Sequence, residues 1–169
     1  MIRPAVPADV TNLVALIGEL AEYERARDQV EVDEELLGSA LFDERPIAFA
    51  QVATVGEEIA GMVIYFPIFS TWTGRGGLHV EDLFVREEFR GRGIGKALLT
   101  SLGRLAVERG YARMDWAVLD WNSPAKDFYR SLGAVFLEDW TTCRLSGSAL
   151  GRLAGGSVPG ELGSGPPPG

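Results

Sequence analysis

Apolar positions along the chain fall into two rhythms. Leu13, Leu16, Ile17 and Leu20 recur at helical spacing, and Pro7-Ala8-Asp9 ahead of them reads as a helix start with Asp9 as N-cap. That helix is predicted to run to about Tyr23. A second short helix is predicted from Asp33 to Leu41, again behind an acidic N-cap. Ile94, Ala97, Leu98, Leu102, Leu105 and Ala106 form a longer apolar stripe, from near Gly93 to about Gly110. Ser123-Pro124 reads as an N-cap followed by Pro at the first helical position, with the helix running to about Leu132 and Gly133 as its C′ residue.

The other rhythm is strand-like. Ile2 to Val6 opens a short strand. Ile47 to Ala53 and Ile59 to Phe66 are predicted strands joined by a turn at Gly56-Glu57-Glu58. Pro67 to Gly77 reads as an irregular loop holding Trp72. Leu78 to Val85, Arg113 to Leu119, Ala134 to Leu137 and Thr141 to Leu145 complete the set. Strands interleaved with helices make a mixed α/β fold. From Gly151 to Gly169 the 19 residues include seven glycines and four prolines. Such composition buries too little apolar area to offset ordering, so a flexible tail is expected over 148–169, behind one domain over 1–147.

Composition then narrows the chemistry. The chain has 169 residues, 46% hydrophobic, enough for a core without disulfides or metal. Its net charge of −8 disfavours nucleic acid and anionic membranes as partners, and either serves solubility alone or also attracts cationic substrates. No apolar run approaches the roughly 18–20 residues of a membrane span. The first residues lack a signal-peptide layout, so a cytoplasmic protein is expected. The single cysteine, Cys143, fits a reducing compartment and is expected to be a buried, inert thiol. The single histidine, His79, excludes a zinc site built on several His and Cys ligands and is expected to be structural.

The segment Arg90-Gly91-Arg92-Gly93-Ile94-Gly95-Lys96 carries the strongest chemical signal. An apolar strand ends at Val85, a charged connection follows, and glycines at alternate positions lead straight into an amphipathic helix. Glycines let the backbone turn tightly and approach a ligand. The first N–H groups of a helix lack intrahelical partners, and the helix dipole favours an anion there. Arg90, Arg92 and Lys96 add charge. A P-loop is excluded, because Arg90 stands where its first glycine belongs and Ala97 where its hydroxyl belongs. A dinucleotide turn is excluded, because its third glycine falls at Lys96.

What remains is Arg-x-x-Gly-x-Gly on Arg90, Gly93 and Gly95, which resembles the acetyl-CoA signature of the GNAT acetyltransferase superfamily. Asn122-Ser123-Pro124, leading to Phe128-Tyr129 and stopping at Gly133, resembles the family's second signature. Ile2 to Ala5, Leu20 to Glu24, Glu81 to Val85 and Trp121-Asn122 extend the likeness to the diamine (spermidine/spermine) acetyltransferase branch and its thialysine-acetylating relatives, over about residues 1–146.

The resemblance implies a central, mostly antiparallel sheet of about 6–7 strands flanked by about 4 helices. It implies acetyl-CoA as co-substrate, no metal, a small-molecule amine as acceptor, and a homodimer. Coenzyme binding would fall to Leu83, Phe84 and Val85, to Arg90 through Lys96, and to Asn122, Ser123, Pro124, Ala125 and Tyr129. Tyr129 would be the acid that protonates the departing thiolate, and Glu81 the base, acting through a water. Tyr23, Glu24, Asp82, Asp115, Trp116 and Ala117 would bind the acceptor. Strand alternation sends Asp82 to the face opposite Glu81 unless a bulge re-aims it. One departure concerns the acceptor: the loop before Trp72 reads Pro67-Ile68-Phe69-Ser70-Thr71 and lacks the acid that polyamine enzymes carry there. Glu138 and Asp139, beside Trp140, are candidates to replace it. A shorter amine or a basic amino acid therefore competes with long polyamines. Acetylation of a protein or peptide is the enzymatic alternative, and an acetyl-CoA-binding sensor the non-enzymatic one.

Overall fold

The computed structural model describes residues 1–155; the glycine- and proline-rich stretch from 156 on lies outside the described residues. The chain divides into two compact units, Met1–Ala117 and Val118 onward.

The first unit holds the sheet. Its strands are β1 (Ile2–Pro4), β2 (Phe49–Val55), β3 (Glu58–Ser70), β4 (Arg75–Val85) and β5 (Arg113–Asp115), in spatial order β1-β2-β3-β4-β5. The first four run antiparallel, whereas β5 is parallel to β4. A parallel neighbour needs a crossover, and helix α3 (Ile94–Glu108) supplies it.

Helices α1 (Val10–Tyr23) and α2 (Glu34–Phe42) cover one face. There Leu13, Leu16, Leu37 and Leu41 pack with Val52, Met62, Ile64 and Phe84. Leu98, Leu102 and Ala106 of α3 are buried in turn, and α3 packs on β3 and β4. Alternation assigns the buried Val63, Leu78 and Val80 to that second face.

Local chemistry sets the helix ends. Asp33 caps α2, its carboxylate accepting from the Leu36 N–H at 2.8 Å. Asp9 occupies the N-cap position of α1 but turns back. Its carboxylate accepts from the Val6 N–H at 2.8 Å and joins the Arg3 guanidinium at 2.6 and 2.8 Å. The Arg3 hydrogen bond holds that carboxyl below the usual carboxylate range. At its other end α1 closes with paired bonds, Ala26 N–H to Ala21 C=O at 2.8 Å and Arg25 N–H to Glu22 C=O at 3.0 Å. Arg25 takes the left-handed position, φ 62°, where glycine is usual.

The segment expected to be a loop, Pro67 to Gly77, is mostly ladder: β3 and β4 stay paired out to Ser70 opposite Arg75, and only residues 71–74 turn. Proline is tolerated because the last β2–β3 pair is Phe49–Tyr65, so β3 is an edge on that side beyond it. The strand expected over Arg113–Leu119 ends at Asp115.

The second unit contains α4 (Ser123–Ser131) and α5 (Gly147–Leu153), the latter reaching into the residues expected to be tail. Residues 134–137 and 141–145 form no strand, so the described sheet has five strands rather than six or seven. Neither segment finds a ladder partner among the described residues, and Val135 and Leu137 remain exposed. Cys143 is exposed rather than buried because it sits in this same unpaired stretch.

Candidate active site

The β3–β4 ladder contains one residue too many on the β4 side. Tyr65 stands opposite Val80 and Ile64 opposite Asp82, leaving Glu81 without a partner. This bulge cancels one step of alternation. Asp82 therefore shares the face of Ile64 and Phe84, the face covered by α1 and α2. The Glu81 carboxylate approaches Nε2 of His79 at 3.6 Å, and the His79 ring stacks on Phe66 at 4.9 Å between centroids.

A carboxylate group results. Asp82 is half-buried; burial first, then the charges of Glu81 and Glu24, push its carboxyl up to about 6. Burial also raises Glu24, the residue that ends α1. Like charges held close in a low-dielectric setting favour a cation among them. His79, expected to be structural, belongs to this cluster. Its i, i+2 spacing from Glu81 was the signal in the sequence, since a strand puts such residues on one face.

The glycine-rich connection lies directly downstream of β4. Gly91 and Gly93 both adopt left-handed backbone, φ 73° and 77°. A Cβ at either would meet nothing within 4 Å, so conformation rather than crowding calls for glycine. Gly93 is the N-cap of α3 and offers no capping side chain. The N–H groups of Ile94, Gly95 and Lys96 are thus left for an outside acceptor, with the exposed Lys96 ammonium in the same turn.

The two arginines of this run have partners within the chain. Arg90 donates from Nε to the Val85 carbonyl at 2.9 Å and lies over the rings of Tyr23 at 4.9 Å and Phe84 at 5.6 Å. Arg92 bonds the Glu88 carbonyl at 3.1 Å and covers the Phe89 ring.

The β4–β5 ladder is short. It pairs Gly77 with Arg113, Leu78 with Met114 and His79 with Asp115, then stops. From Val80 to Val85, β4 has β3 on one side and no strand on the other among the described residues. Leu83, Phe84 and Val85 lie on this open edge, which has backbone groups for an extended ligand. Asp115 is engaged by Arg113 at 2.8 Å, and Trp116 and Ala117 follow outside the sheet.

The remaining candidates belong to the second unit. Asn122, not Ser123, is the N-cap of α4, its Oδ1 accepting from the Ala125 N–H at 3.2 Å. Asn122 is buried, while Ser123 and Pro124 form the first helical positions. Tyr129 is half-buried with its ring tilted against Phe128, centroids 5.3 Å apart. The helix ends with Gly133 at φ 87°, Ala134 N–H bonding the Tyr129 carbonyl at 3.1 Å and Gly133 N–H the Arg130 carbonyl at 2.9 Å. Glu138, Asp139 and Trp140 are exposed.

Known proteins resemble this arrangement. Residues 13–134 match the family described as the acetyltransferase (GNAT) family. A thialysine N-epsilon-acetyltransferase of Sus scrofa is 39% identical over 166 residues, covering 92% of this chain and 97% of the relative. An L-ornithine N5-acetyltransferase of Arabidopsis thaliana is 30% identical, covering 88% of this chain and 85% of the relative. Among solved structures, an integron cassette protein from the mobile metagenome of V. cholerae superposes with a TM-score of 0.76 at 27% identity, covering 91% of this chain and 96% of its own.

Proposed function

The chain belongs to the GNAT acetyltransferase family and is an N-acetyltransferase, and we propose that it moves the acetyl group of acetyl-CoA to a primary amine of a small molecule bearing a second positive charge. The β4 bulge carries this reading. It brings Glu81 and Asp82 to bear on one site with Glu24, immediately upstream of a helix N-terminus suited to a pyrophosphate. The relatives named for thialysine and ornithine acetylation support a basic amino acid or short diamine as acceptor.

Amine acetylation needs a neutral amine, a polarised carbonyl and a stabilised thiolate. Glu81, with His79 beside it, takes the proton from the acceptor ammonium through a water. The amine nitrogen then bonds the acetyl carbon as the carbon–sulfur bond breaks, and the second proton that leaves the nitrogen restores the one Tyr129 gives up. Asp82 and Glu24 hold the second cation, with Tyr23, Asp115, Trp116 and Ala117 as further acceptor residues. Backbone groups of Leu83, Phe84 and Val85 hold the coenzyme's arm and polarise its carbonyl. The turn from Gly91 to Lys96 takes the pyrophosphate, and Asn122 to Ala125 complete the coenzyme contacts. Tyr129 gives its phenolic proton to the sulfur. The enzyme acts in the cytoplasm as a homodimer.

A steady-state assay detecting free coenzyme A thiol tests the reading across diamines, basic amino acids and peptides. Turnover of small dicationic or zwitterionic amines is expected. Turnover of peptides alone would sink it.

A further inference from the structure

We infer that Arg90 is a positioning residue for the acceptor side of the site, a clamp between the end of α1 and the end of β4, and not a ligand of the coenzyme's phosphates. The inference rests on the acceptor reading given under Proposed function.

Arg90 opens the glycine-rich run, yet its guanidinium points the other way. Nε is committed to the Val85 carbonyl at 2.9 Å, the last residue of β4. The guanidinium plane lies within reach of two rings, Tyr23 at 4.9 Å and Phe84 at 5.6 Å. A guanidinium stacks on aromatic faces and keeps a fixed fork, which suits it to join elements. The bond to Val85 and the place over the two rings are the contacts the clamp rests on. The phosphate site does not need it: the N–H groups of Ile94 to Lys96 and the Lys96 ammonium already supply donors and charge.

What the clamp holds is specific. Tyr23 is the last residue of α1 and Glu24 its C-cap. The next residue, Arg25, carries a left-handed φ of 62°, a conformation that disfavours any side chain. The capping bonds that close α1 are thus made at some conformational cost, and the clamp adds to what holds this end. Glu24 is close enough for its charge to act on Asp82. Arg90 therefore sets how the α1 carboxylate stands against the β4 carboxylates. Planarity and reach, not charge alone, make the clamp, and this separates it from a phosphate ligand.

The test uses the full chain with Arg90→Lys, Arg90→Met, Tyr23→Leu and the double variants. Acceptor KM and kcat are measured at saturating acetyl-CoA, coenzyme A affinity by calorimetry, and unfolding in urea. Both Arg90 substitutions are expected to raise acceptor KM about fivefold or more, with Lys giving no rescue. Coenzyme A affinity is expected to change less than about threefold, since no counter-charge on phosphate is lost. In the Tyr23→Leu background the same substitutions are expected to add less than about twofold, as expected of a shared contact. A coenzyme affinity loss of about tenfold that Lys restores, with acceptor KM unmoved, would overturn the clamp.

The urea cycle reads the contact without turnover. Arg90 and Tyr23 are expected to couple by about two- to fivefold in the unfolding equilibrium constant, and strict additivity would overturn the contact. Should the unsubstituted protein acetylate no small amine, the acceptor reading fails by itself, while the cycle and the calorimetry still decide whether Arg90 clamps or binds phosphate. Should one Arg90 variant fail to fold, the other decides the question through acceptor KM set against coenzyme A affinity.

Discussion

Asp82 stands directly across the β3–β4 ladder from Ile64, a residue of the core beneath α1 and α2. A carboxylate beside a buried aliphatic side chain loses hydration, and Glu81 and Glu24 add like charge. Its folded-state pKa of about 6 lies above the ordinary 3.8. Between those values the native state binds more protons than the unfolded chain, so stability falls as pH rises through that window. Above it the ionised group costs on the order of 3 kcal/mol. Asp82→Asn is therefore expected to stabilise the protein at pH 8 and to make no difference near pH 3.5, while raising acceptor KM. Urea unfolding across pH checks this. A stabilisation that persists unchanged at low pH would show the cause to be something other than ionisation.

Tyr129 is the proposed proton donor. Its replacement by Phe keeps the ring against Phe128 and the backbone bonds that close α4. Tyr129→Phe is expected to lower kcat by roughly 10- to 1000-fold, in line with typical proton-transfer contributions. Coenzyme A affinity should hold within about threefold, since only a hydroxyl is lost. Stopped-flow single turnover with calorimetry separates the two effects, and an unchanged kcat would remove Tyr129 from the chemistry.

Two glycines of the first unit are expected to fail in opposite ways. At Gly93 a Cβ has open space but must adopt φ 77°. Gly93→Ala should cost about 1–2 kcal/mol of stability and weaken coenzyme binding, because the turn that aims the α3 N–H groups is strained. At Gly61 the backbone is ordinary, but a Cβ would fall 2.6 Å from the Phe84 carbonyl oxygen. Gly61→Ala should push β3 from β4 and cost about 1–3 kcal/mol or more. Thermal melts and coenzyme titrations distinguish them: equal coenzyme affinity in Gly93→Ala and the parent would contradict the cradle.

What was legible in the sequence follows from what each feature depends on. The bodies of α1 to α4 were, because Leu13 to Leu20, the stripe from Ile94 to Ala106 and the stop at Gly133 are set by residues near one another in the chain; α5, in the stretch read as tail, and the caps at Asp9 and Ser123 were not. The glycine turn was legible for the same reason. The bulge was not. Nothing local marks Glu81 as the extra residue; it appears only when β3 and β4 are counted against each other, and that register was hidden because Pro67 to Gly77 read as a loop. Pairing also decided the failures at 134–137 and 141–145, whose strand-like patterns find no partner among the described residues. The clamp by Arg90 was illegible because Tyr23 lies far from it in sequence and meets it only through tertiary packing.

The start of α4 offers a last discrimination between sequence and structure. Ser123 and Asn122 are both good capping residues, and a proline at the next position favours Ser123. The structure gives the cap to Asn122, whose Oδ1 reaches the Ala125 N–H at 3.2 Å from a buried side chain, with Pro124 at the second helical position. The reason is the turn before it: Asn122 N–H bonds the Leu119 carbonyl at 2.9 Å, which leaves Asn122 outside the helix with its side chain folded over the first turn. Loss of a cap costs about 1 kcal/mol, whereas a solvent-facing hydroxyl at the first helical position contributes less than about 0.5 kcal/mol. Asn122→Ala is therefore expected to lower stability by about 1 kcal/mol or more, given its burial, and to loosen the helix that carries Tyr129. Ser123→Ala is expected to be nearly silent in the same urea titration. Hydrogen exchange at the Ala125 amide reads the difference locally: faster exchange in Asn122→Ala alone supports the assignment, and faster exchange in Ser123→Ala alone would return the cap to Ser123.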